Sequence, residues 1–431
     1  MFSQTAKRNA LLCVFVTILL DTIGFGIVAP VLPELLMELS GEGLASTAKY
    51  GGWLLFVYAL MQFLFAPIIG NLSDRYGRRP TLLLSLLAFA FDYVLMGLAP
   101  SLTWLFIGRC LCGIAGATSS TTNAYVADIS SPEERAKNFG LLGAAWGLGV
   151  VIGPSVGGVL GEYGARVPFF AAALVAFLNL IYGFFVLPET LKPGKRRSFS
   201  LVRANPVGAL IQMRRYPMVL GIFAVLIFYQ LAHDANASVW SFYTMLKFEW
   251  SELDVGYSLA FVGVMSILVQ GSLIRSLMPR IGERNAIYGG FVLMALGFLG
   301  FAYAPRGWMM YLFIVPFTLG GLANPALRSI LSKQVPEDAQ GELQGAITSL
   351  NSLTAIVAPL LMTQLFSYFT SERAAFYFPG AAFAAAALLM LVSLVLFRRV
   401  IAPGARRNAP QAAAAIAPPP LAPQTRRLRR A

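Results

Sequence analysis

Long apolar runs separated by short polar turns cover most of this chain. Each run holds about 20 residues or more, enough for a helix to cross the hydrocarbon core of a bilayer. The predicted spans are residues 9–33, 50–71, 80–99, 101–125, 138–160, 166–187, 217–245, 254–278, 285–304, 308–331, 341–368 and 375–397. The pattern therefore predicts an all-α membrane protein with twelve transmembrane helices.

The composition agrees with a membrane protein. Of the 431 residues, 57% are hydrophobic and 12% are charged, a balance that a soluble domain could not fold around. A net charge of +13 would favour nucleic acid as the partner of a soluble protein. Here most Lys and Arg fall in turns on one side of the predicted spans, which is typical of the cytoplasmic side. We therefore expect a bilayer as partner, no nucleic acid, and both termini in the cytoplasm.

A weak internal repeat relates the two halves of the chain. The turn Arg75–Arg79 corresponds to Arg280–Arg284, and Pro154 corresponds to Pro359. Parallel repeats of this kind predict two six-helix bundles. We place the domains at residues 1–188 (N-terminal bundle), 189–216 (cytoplasmic linker), 217–398 (C-terminal bundle) and 399–431 (disordered basic cytoplasmic tail).

A tight basic turn joins the second and third spans. It reads Gly70-Asn71-Leu72-Ser73-Asp74-Arg75-Tyr76-Gly77-Arg78-Arg79-Pro80, and it resembles the signature loop of the major facilitator superfamily. The resemblance implies the major facilitator fold, a secondary active transporter with no enzyme activity, and a gating role for Asp74, Arg75, Gly77, Arg78 and Arg79. In that family the aspartate forms a latch with the start of the eleventh helix, here near Gly341.

Asp92 and Arg109 are opposite charges inside neighbouring spans, where ionisable groups are costly. Each lies about 12 Å from the turn at residues 100–101 at 1.5 Å per residue, so we expect them to pair. The pair is either a static salt bridge or a device by which Arg109 sets the proton affinity of a nearby carboxylate. The segment Arg109–Ala117 also resembles the superfamily's fourth-helix motif, in which the arginine is linked to proton transfer.

Asp21 lies in the first span, followed by Gly24, Gly26, Pro30 and Pro33. Glycine and proline loosen a helix and free backbone groups, as expected beside a central cavity. Asp21 either takes up a proton there or is held by a neighbouring serine or asparagine.

His233 is the only histidine in the chain and lies beside Asp234 in the seventh span. In a soluble protein a lone histidine is usually a satisfied core residue. Inside a membrane, next to a carboxylate, either residue can titrate near neutral pH. We interpret the pair as a coupling or substrate group, with a structural role as the alternative.

Longer stretches resemble the tetracycline/proton antiporter family up to about Arg399. The matching segments are Leu20–Gly26, Phe91–Tyr93, Gly140–Ala144, Arg306–Met309 and Gly345–Leu361. A further segment, Gly149–Gly158, matches the fifth-helix motif of drug/proton antiporters and adds Gly153 and Pro154 to the gating residues. The resemblance implies proton-coupled efflux of an amphipathic, tetracycline-like drug from the cell across the bacterial inner membrane. A proton symporter or facilitator that imports a small metabolite remains the alternative.

The resemblance does not extend to two family residues. The eighth-helix histidine falls on Ser266 and the ninth-helix aspartate on Met294, and the family uses both for coupling to metal–tetracycline. We hypothesise that His233 and Asp234 supply a substitute pair, so that the proton-coupling residues are Asp21, Asp92, Arg109, His233 and Asp234. Polar and aromatic groups in mid-span predict a substrate site at Gln62, Asn123, Trp146, Trp240 and Gln270. We expect no cofactor, no metal and a monomer.

Overall fold

A computed structural model describes residues 4–116, 119–131, 134–191, 208–336 and 339–401. Within these ranges every regular element is a helix, as predicted. The predicted tail after residue 401 and residues 192–207 of the predicted linker lie outside the described residues.

The described part of the chain forms sixteen α-helices, a 3₁₀ turn at Met213–Arg215 and a π-helical turn at Val269–Leu273. The helices are α1 (Gln4–Val28), α2 (Leu32–Ser40), α3 (Leu44–Tyr76), α4 (Arg78–Leu98), α5 (Leu102–Gly116), α6 (Ser119–Ile129), α7 (Arg135–Gly161), α8 (Val167–Val186), α9 (Gly208–Gln212), α10 (Pro217–Phe248), α11 (Glu252–Leu268), α12 (Ile274–Tyr303), α13 (Trp308–Gly320), α14 (Ala323–Ser332), α15 (Gln340–Phe369) and α16 (Ala381–Ile401).

Twelve stretches of the described chain are long and apolar enough to cross a membrane, which confirms the predicted number. Four spans are composite: α5 continues into α6, α13 continues into α14, α11 runs through the π-helical turn, and α12 contains a bend at Gly282. The first span ends at Val28 instead of residue 33, because the separate short helix α2 begins at Leu32, with Pro33 in its first turn. The second span extends from Leu44 to Tyr76, beyond the apolar run that predicted it.

The helices form two bundles. In the first, α1 packs against α7 and α8, and α4 packs against α5 and α8. In the second, α10 packs against α15 and α16, and α12 packs against α13 and α16. The internal repeat is visible in the backbone, since Gly77 (φ 118°, ψ 157°) and Gly282 (φ 76°, ψ 158°) share a conformation that favours glycine.

Charge divides the molecule into two ends. We call one end the basic face; it carries Arg75, Arg78, Arg79, Arg214, Arg215, Arg280, Arg284, Arg328, Lys333, Arg398 and Arg399. We call the other end the opposite face; its cations are Lys49, Arg166, Lys247, Arg306 and Arg373. The excess on one end is the asymmetry expected of a protein inserted by the positive-inside rule.

The two bundles meet along two seams, α7 against α11 and α3 against α15. Contacts are closest in the half nearer the opposite face, where Ser241 donates a hydrogen bond to the Ala29 carbonyl at 3.0 Å. In the basic-face half, no described atom outside the helix itself lies within 4 Å of the position that a Cβ would take at Gly140 or Gly341. The bundles are therefore sealed at the opposite face and separated toward the basic face.

Candidate functional site

A cavity of about 550 Å³ lies within the first bundle, between the middle of α1 and α4 and the basic-face half of α6 and α7. Aromatic and aliphatic side chains make most of its wall, with a few polar groups among them. This mixture suits a ligand with a large apolar body and a small number of polar atoms. The lining residues are Ile18, Leu20, Asp21, Thr22, Phe25, Tyr58, Phe89, Tyr93, Gly116, Thr122, Asn123, Phe139, Leu142, Gly143, Trp146 and Ala176.

Asp21 is the only acidic residue in that wall. Its Oδ1 accepts a hydrogen bond at 3.2 Å from Nδ2 of Asn179, which also donates to the Thr17 carbonyl. Asn179 on α8 is fully buried, so it fixes the rotamer of the carboxylate from behind. Both alternatives for Asp21 are thus compatible with its position, because it has an asparagine partner and still faces the cavity.

The expected pairing of Asp92 and Arg109 is confirmed. Arg109 Nη2 lies 2.7 Å from Asp92 Oδ2, and the Asp92 side chain has no exposed surface. The guanidinium also stands 5.9 Å from the ring centre of Tyr58, which lines the cavity. The ion pair therefore lies one aromatic ring behind the cavity wall, and its part in proton coupling stays a prediction.

His233 and Asp234 lie on α10 of the second bundle. The imidazole is about half exposed and stands between the rings of Tyr229 and Phe317, 6.1 Å from each centre. Asp234 accepts a hydrogen bond from Gln230 at 2.8 Å, and its Oδ1 is 3.7 Å from His233 Nδ1. Asp234 is two turns before Ser241, on the helix face that contacts the first bundle.

Asp234 and Asp21 are at similar depths on opposite sides of the bundle interface. Each lies seven or eight residues before the contact between Ser241 and Ala29, or about 10–12 Å at 1.5 Å per residue. Two carboxylates therefore lie at similar depths on helices α1 and α10, and the imidazole of His233 is next to one of them.

Only part of the predicted substrate set lines the cavity. Asn123 and Trp146 do, and Gln62 supports the wall by donating a hydrogen bond to the Gly116 carbonyl at 3.1 Å. Gln270 is exposed in the π-helical turn after α11. Trp240 is instead a core residue of the second bundle: it is 2% exposed, and its indole donates to Ser258 Oγ at 2.9 Å. This position gives no support to a substrate role for Trp240.

Phe25, Tyr58 and Phe139 line the cavity but were missing from the predicted set. Sequence reasoning selected polar groups in mid-span, and an aromatic side chain in an apolar run gives no comparable signal.

The basic turn is held by a network of charges at the basic face. Arg78 Nη1 is 2.7 Å from Asp74 Oδ1 and donates to Ser73 Oγ at 2.6 Å, while its Nε is 3.4 Å from Asp128 Oδ2. Asp74 thus pairs within its own bundle, and the predicted latch near Gly341 is not made in this conformation. Of the other turn residues, Arg79 donates to the carbonyl of Phe184 at 2.6 Å. Arg75 lies over the ring of Tyr76.

Glu189, just after α8, is a residue of this turn that sequence reasoning missed. Its carboxylate accepts hydrogen bonds from the backbone N–H groups of Arg78 and Arg79, at 3.0 and 3.2 Å. These N–H groups open helix α4, whose N-terminus favours a negative charge. A Cβ at Gly77 would overlap Glu189 Oε2, so both the backbone angles and the carboxylate require glycine here.

We expect Gly77→Ala to lower the free energy of unfolding by more than about 1 kcal/mol, because alanine adds strain at positive φ and displaces the Glu189 cap. Gly282→Ala is the matched control: it carries the same kind of strain, but nothing lies within 4 Å of its Cβ position. Thermal unfolding of the purified variants measures both. Equal losses for the two variants would contradict a role for Glu189, whereas adding Glu189→Ala to Gly77→Ala should recover part of the loss.

Gly153 and Pro154 lie where α7 crosses α1. A Cβ at Gly153 would come within 2.8 Å of Gly26 Cα and of the Ile23 carbonyl oxygen. Pro154 interrupts the hydrogen-bond ladder inside α7, and its carbonyl lies against Gly256 of the second bundle. The motif therefore places a bend and a close backbone contact at the seam.

Two carboxyl groups meet across the same seam at the opposite face. Glu34 of α2 is hydrogen-bonded to Glu252, the first residue of α11. Burial, the bond to Glu252 and the charges of Glu252 and Glu38 raise the pKa of Glu34 to about 7. Glu38 itself is paired with Arg166 at 3.0 Å. A hydrogen bond between two carboxyl groups needs one proton, so we expect the sealed form to favour a protonated Glu34.

We expect the seal at the opposite face to weaken as pH rises through about 7. The pKa of Glu34 is raised in the sealed form and returns toward about 4.3 when α2 and α11 separate. The sealed form is therefore fully stabilised below about pH 4.3, where Glu34 is protonated in both forms. It loses this stabilisation as the pH rises through about 7, the pKa of Glu34 in the sealed form. The measurement is maleimide labelling of Ser241→Cys, in a background without Cys13, Cys110 and Cys112, between pH 5 and 8. Because maleimide reacts with the thiolate, whose fraction itself rises with pH, each rate is divided by the rate measured in Glu34→Gln at the same pH. This ratio should rise as the pH passes through about 7, and a ratio that stays constant would contradict the prediction.

Comparison with known proteins places this geometry in a family. The sequence profile of the Major Facilitator Superfamily matches residues 14–359 and 280–431 of the chain. This chain belongs to the major facilitator superfamily. It is therefore a multi-pass membrane transporter and not an enzyme, as predicted.

Its relatives include several tetracycline resistance proteins. The chain is 42% identical over 361 residues to the class C protein of Escherichia coli, covering 84% of this chain and 90% of that protein. It is 38% identical over 371 residues to the class G protein of Vibrio anguillarum, covering 84% and 91%. Among solved structures, the human organic anion transporter MFSD10 (TETRAN) superposes with a TM-score of 0.65 and 25% identity, over 91% of this chain and 99% of that one.

Proposed function

We propose that this major facilitator exports an amphipathic, tetracycline-like drug in exchange for protons. The relatives named above are resistance proteins, which supports drug efflux as the direction and class of transport. The observation that carries the exchange is the position of Asp21, a lone carboxylate in an otherwise largely aromatic and apolar cavity wall. A substrate and a proton that need the same carboxylate cannot occupy it together, which is the basis of exchange.

Alternating access follows from the two seams in this proposal. The bundles are in contact at one face and apart at the other, and rocking one bundle against the other would exchange the open face. Charge asymmetry supports placing the basic face in the cytoplasm of the inner membrane. The cavity then faces the cytoplasm in this conformation and would collect drug there.

The energy available is sufficient for export. One elementary charge moved through about 100 mV releases about 2.3 kcal/mol, which supports roughly a fiftyfold concentration gradient before any pH difference is added. In this proposal His233 and Asp234, on α10 of the second bundle, would take up or release a proton as the bundles move. Asp92 and Arg109, behind Tyr58, would hold a fixed dipole near Asp21.

Asp21→Asn tests the proposal in proteoliposomes. We expect the variant to lose drug accumulation driven by a pH gradient and to keep drug counterflow, because asparagine preserves the Oδ1 acceptor for Asn179 and cannot exchange a proton. Glu372→Gln, at an exposed acid of the opposite face, is the control and should keep both activities. Gradient-driven accumulation by Asp21→Asn at the parent rate would exclude Asp21 as the exchange site. Drug moving in the same direction as protons would instead support the importing alternative.

A further inference from the structure

A second concave site extends from the basic face along the second bundle, and it shares no lining residue with the Asp21 cavity. This groove of about 480 Å³ lies between α10 and α15, and its wall is almost entirely apolar. The transport mechanism makes no use of it. The lining residues are Leu210, Arg214, Leu220, Phe223, Ala224, Ile227, Leu231, Leu350, Leu353, Thr354 and Val357.

The groove has the depth of one bilayer leaflet. Its α10 positions run from Leu220 to Leu231, a rise of about 16 Å at 1.5 Å per residue. That length is about half of the 30 Å hydrocarbon core. Since α10 begins at Pro217, at the basic face, the groove extends from the membrane surface to the middle of the bilayer.

The mouth of the groove is cationic. Arg214 lines it, and Arg214 and Arg215 are both exposed in the 3₁₀ turn that precedes α10. Neither arginine takes part in an ion pair within the described ranges of the chain. Glu342, on the neighbouring helix α15, accepts a hydrogen bond at 3.0 Å from Gln212 when the amide of Gln212 is oriented with its nitrogen toward the carboxylate. Two unpaired guanidinium groups therefore stand at the level of lipid headgroups, above an apolar channel.

We propose that this groove binds an anionic phospholipid of the basic-face leaflet, with one acyl chain between α10 and α15 and its phosphate at Arg214. Charge complementarity selects this occupant, because arginine pairs with phosphate oxygens and basic pockets between transmembrane helices bind acidic headgroups. A zwitterionic lipid has the same acyl chains, but its headgroup carries no net negative charge to pair with the second guanidinium, that of Arg215.

Because of the position of the groove, a bound lipid would affect the balance between the two conformations of the bundles. Leu220, Ala224 and Leu231 share the α10 face that carries Phe242, and Phe242 contacts Gly51 of α3 at the opposite-face end of the seam. The groove thus continues the line along which α3 and α10 meet. An acyl chain in it occupies space between the bundles on the basic-face side, and it favours the conformation that is open there.

Native mass spectrometry of the purified full-length protein tests the proposal. After delipidation, the protein is incubated with phosphatidylglycerol or phosphatidylcholine carrying identical acyl chains. We expect retention of phosphatidylglycerol to exceed that of phosphatidylcholine by about fivefold, the factor that corresponds to one arginine at a membrane surface. Arg214→Gln should remove this preference, and the double variant Arg214→Gln with Arg215→Gln should likewise retain the two lipids equally. Arg284→Gln, at an exposed arginine of the same face, is the matched control and should leave the preference unchanged.

Three results would overturn the proposal: equal retention of the two lipids by the parent protein, an unchanged preference in Arg214→Gln, or an equal loss in Arg284→Gln. Ala224→Trp fills the groove and should lower the retention of both lipids, which separates chain binding from headgroup binding. Inorganic phosphate at the same concentration should fail to displace phosphatidylglycerol. Displacement by phosphate would show a simple anion site without a role for the groove.

Discussion

Replacing Arg109 with glutamine is expected to lower the free energy of unfolding by about 3–5 kcal/mol and to end transport. The substitution leaves Asp92 charged, fully buried and without its 2.7 Å partner. Ionised groups within a membrane-spanning bundle are tolerated only with such partners. Thermal unfolding of the purified protein, together with its level in the membrane, measures the loss.

The double variant Asp92→Asn with Arg109→Gln decides between the two roles left open for this pair. Removing both charges avoids an unpaired buried ion, so we expect most of the lost stability to return. A purely structural salt bridge predicts that gradient-driven transport returns with it. A role in coupling predicts a stable protein that performs counterflow and does not respond to a pH gradient. Parent-like stability in Arg109→Gln alone would show that Asp92 does not depend on this arginine.

The helices, the repeat and the Asp92–Arg109 pair could be predicted because each leaves a local or periodic signal. Apolar runs mark the spans, and equal distance from a short turn brings two charges to one depth. The repeat was visible from a few residues, and one position within the matching turns, Gly77 with Gly282, has a backbone reason in the shared positive φ. In each case a short stretch of chain carries the information.

The parts that escaped prediction depend on contacts between distant segments. Glu189 caps a helix that begins 111 residues earlier in the chain, and the residues next to Glu189 in the sequence give no sign of this contact. Glu34 becomes unusual only when α2 meets α11 of the other bundle. Trp240 is polar enough to suggest a site, yet its indole finds a partner in Ser258 and its rings pack in the core. Helix packing, which single-sequence patterns do not encode, decided all three.

The latch predicted for Asp74 illustrates a further limit. The same sequence must encode both conformations of a transporter whose bundles move against each other. A sequence motif can therefore encode a contact that forms only in the other conformation. Here Asp74 pairs with Arg78, and no described atom outside α15 lies within 4 Å of the Cβ position of Gly341. The same residues could meet when the basic face closes, so the prediction stays open.

Replacing Gly158 with leucine is expected to prevent the seal at the opposite face. A Cβ at this position would stand 2.6 Å from the Glu252 carbonyl oxygen and 3.0 Å from Leu253 Cα. These neighbours are backbone atoms of α11, which cannot rotate aside as a side chain can. Overpacking of this kind costs about 1–3 kcal/mol, which would shift the equilibrium away from the sealed form by a factor of about 5 to 160. Transport should fall with it, because a transporter that cannot close one face cannot complete the cycle.

Labelling of Ser241→Cys from the opposite face reports on this seal directly. The rate should rise in Gly158→Leu, while Gly289→Leu, at an exposed glycine of α12 with no atom within 4 Å of its Cβ position, should leave it unchanged. An unchanged rate in Gly158→Leu would mean that α7 and α11 can part without opening the seam. A raised labelling rate with an unchanged free energy of unfolding would mean that Gly158→Leu changes only the balance between conformations. In that case the first bundle tolerates the leucine, and the clash arises only when the second bundle closes against it.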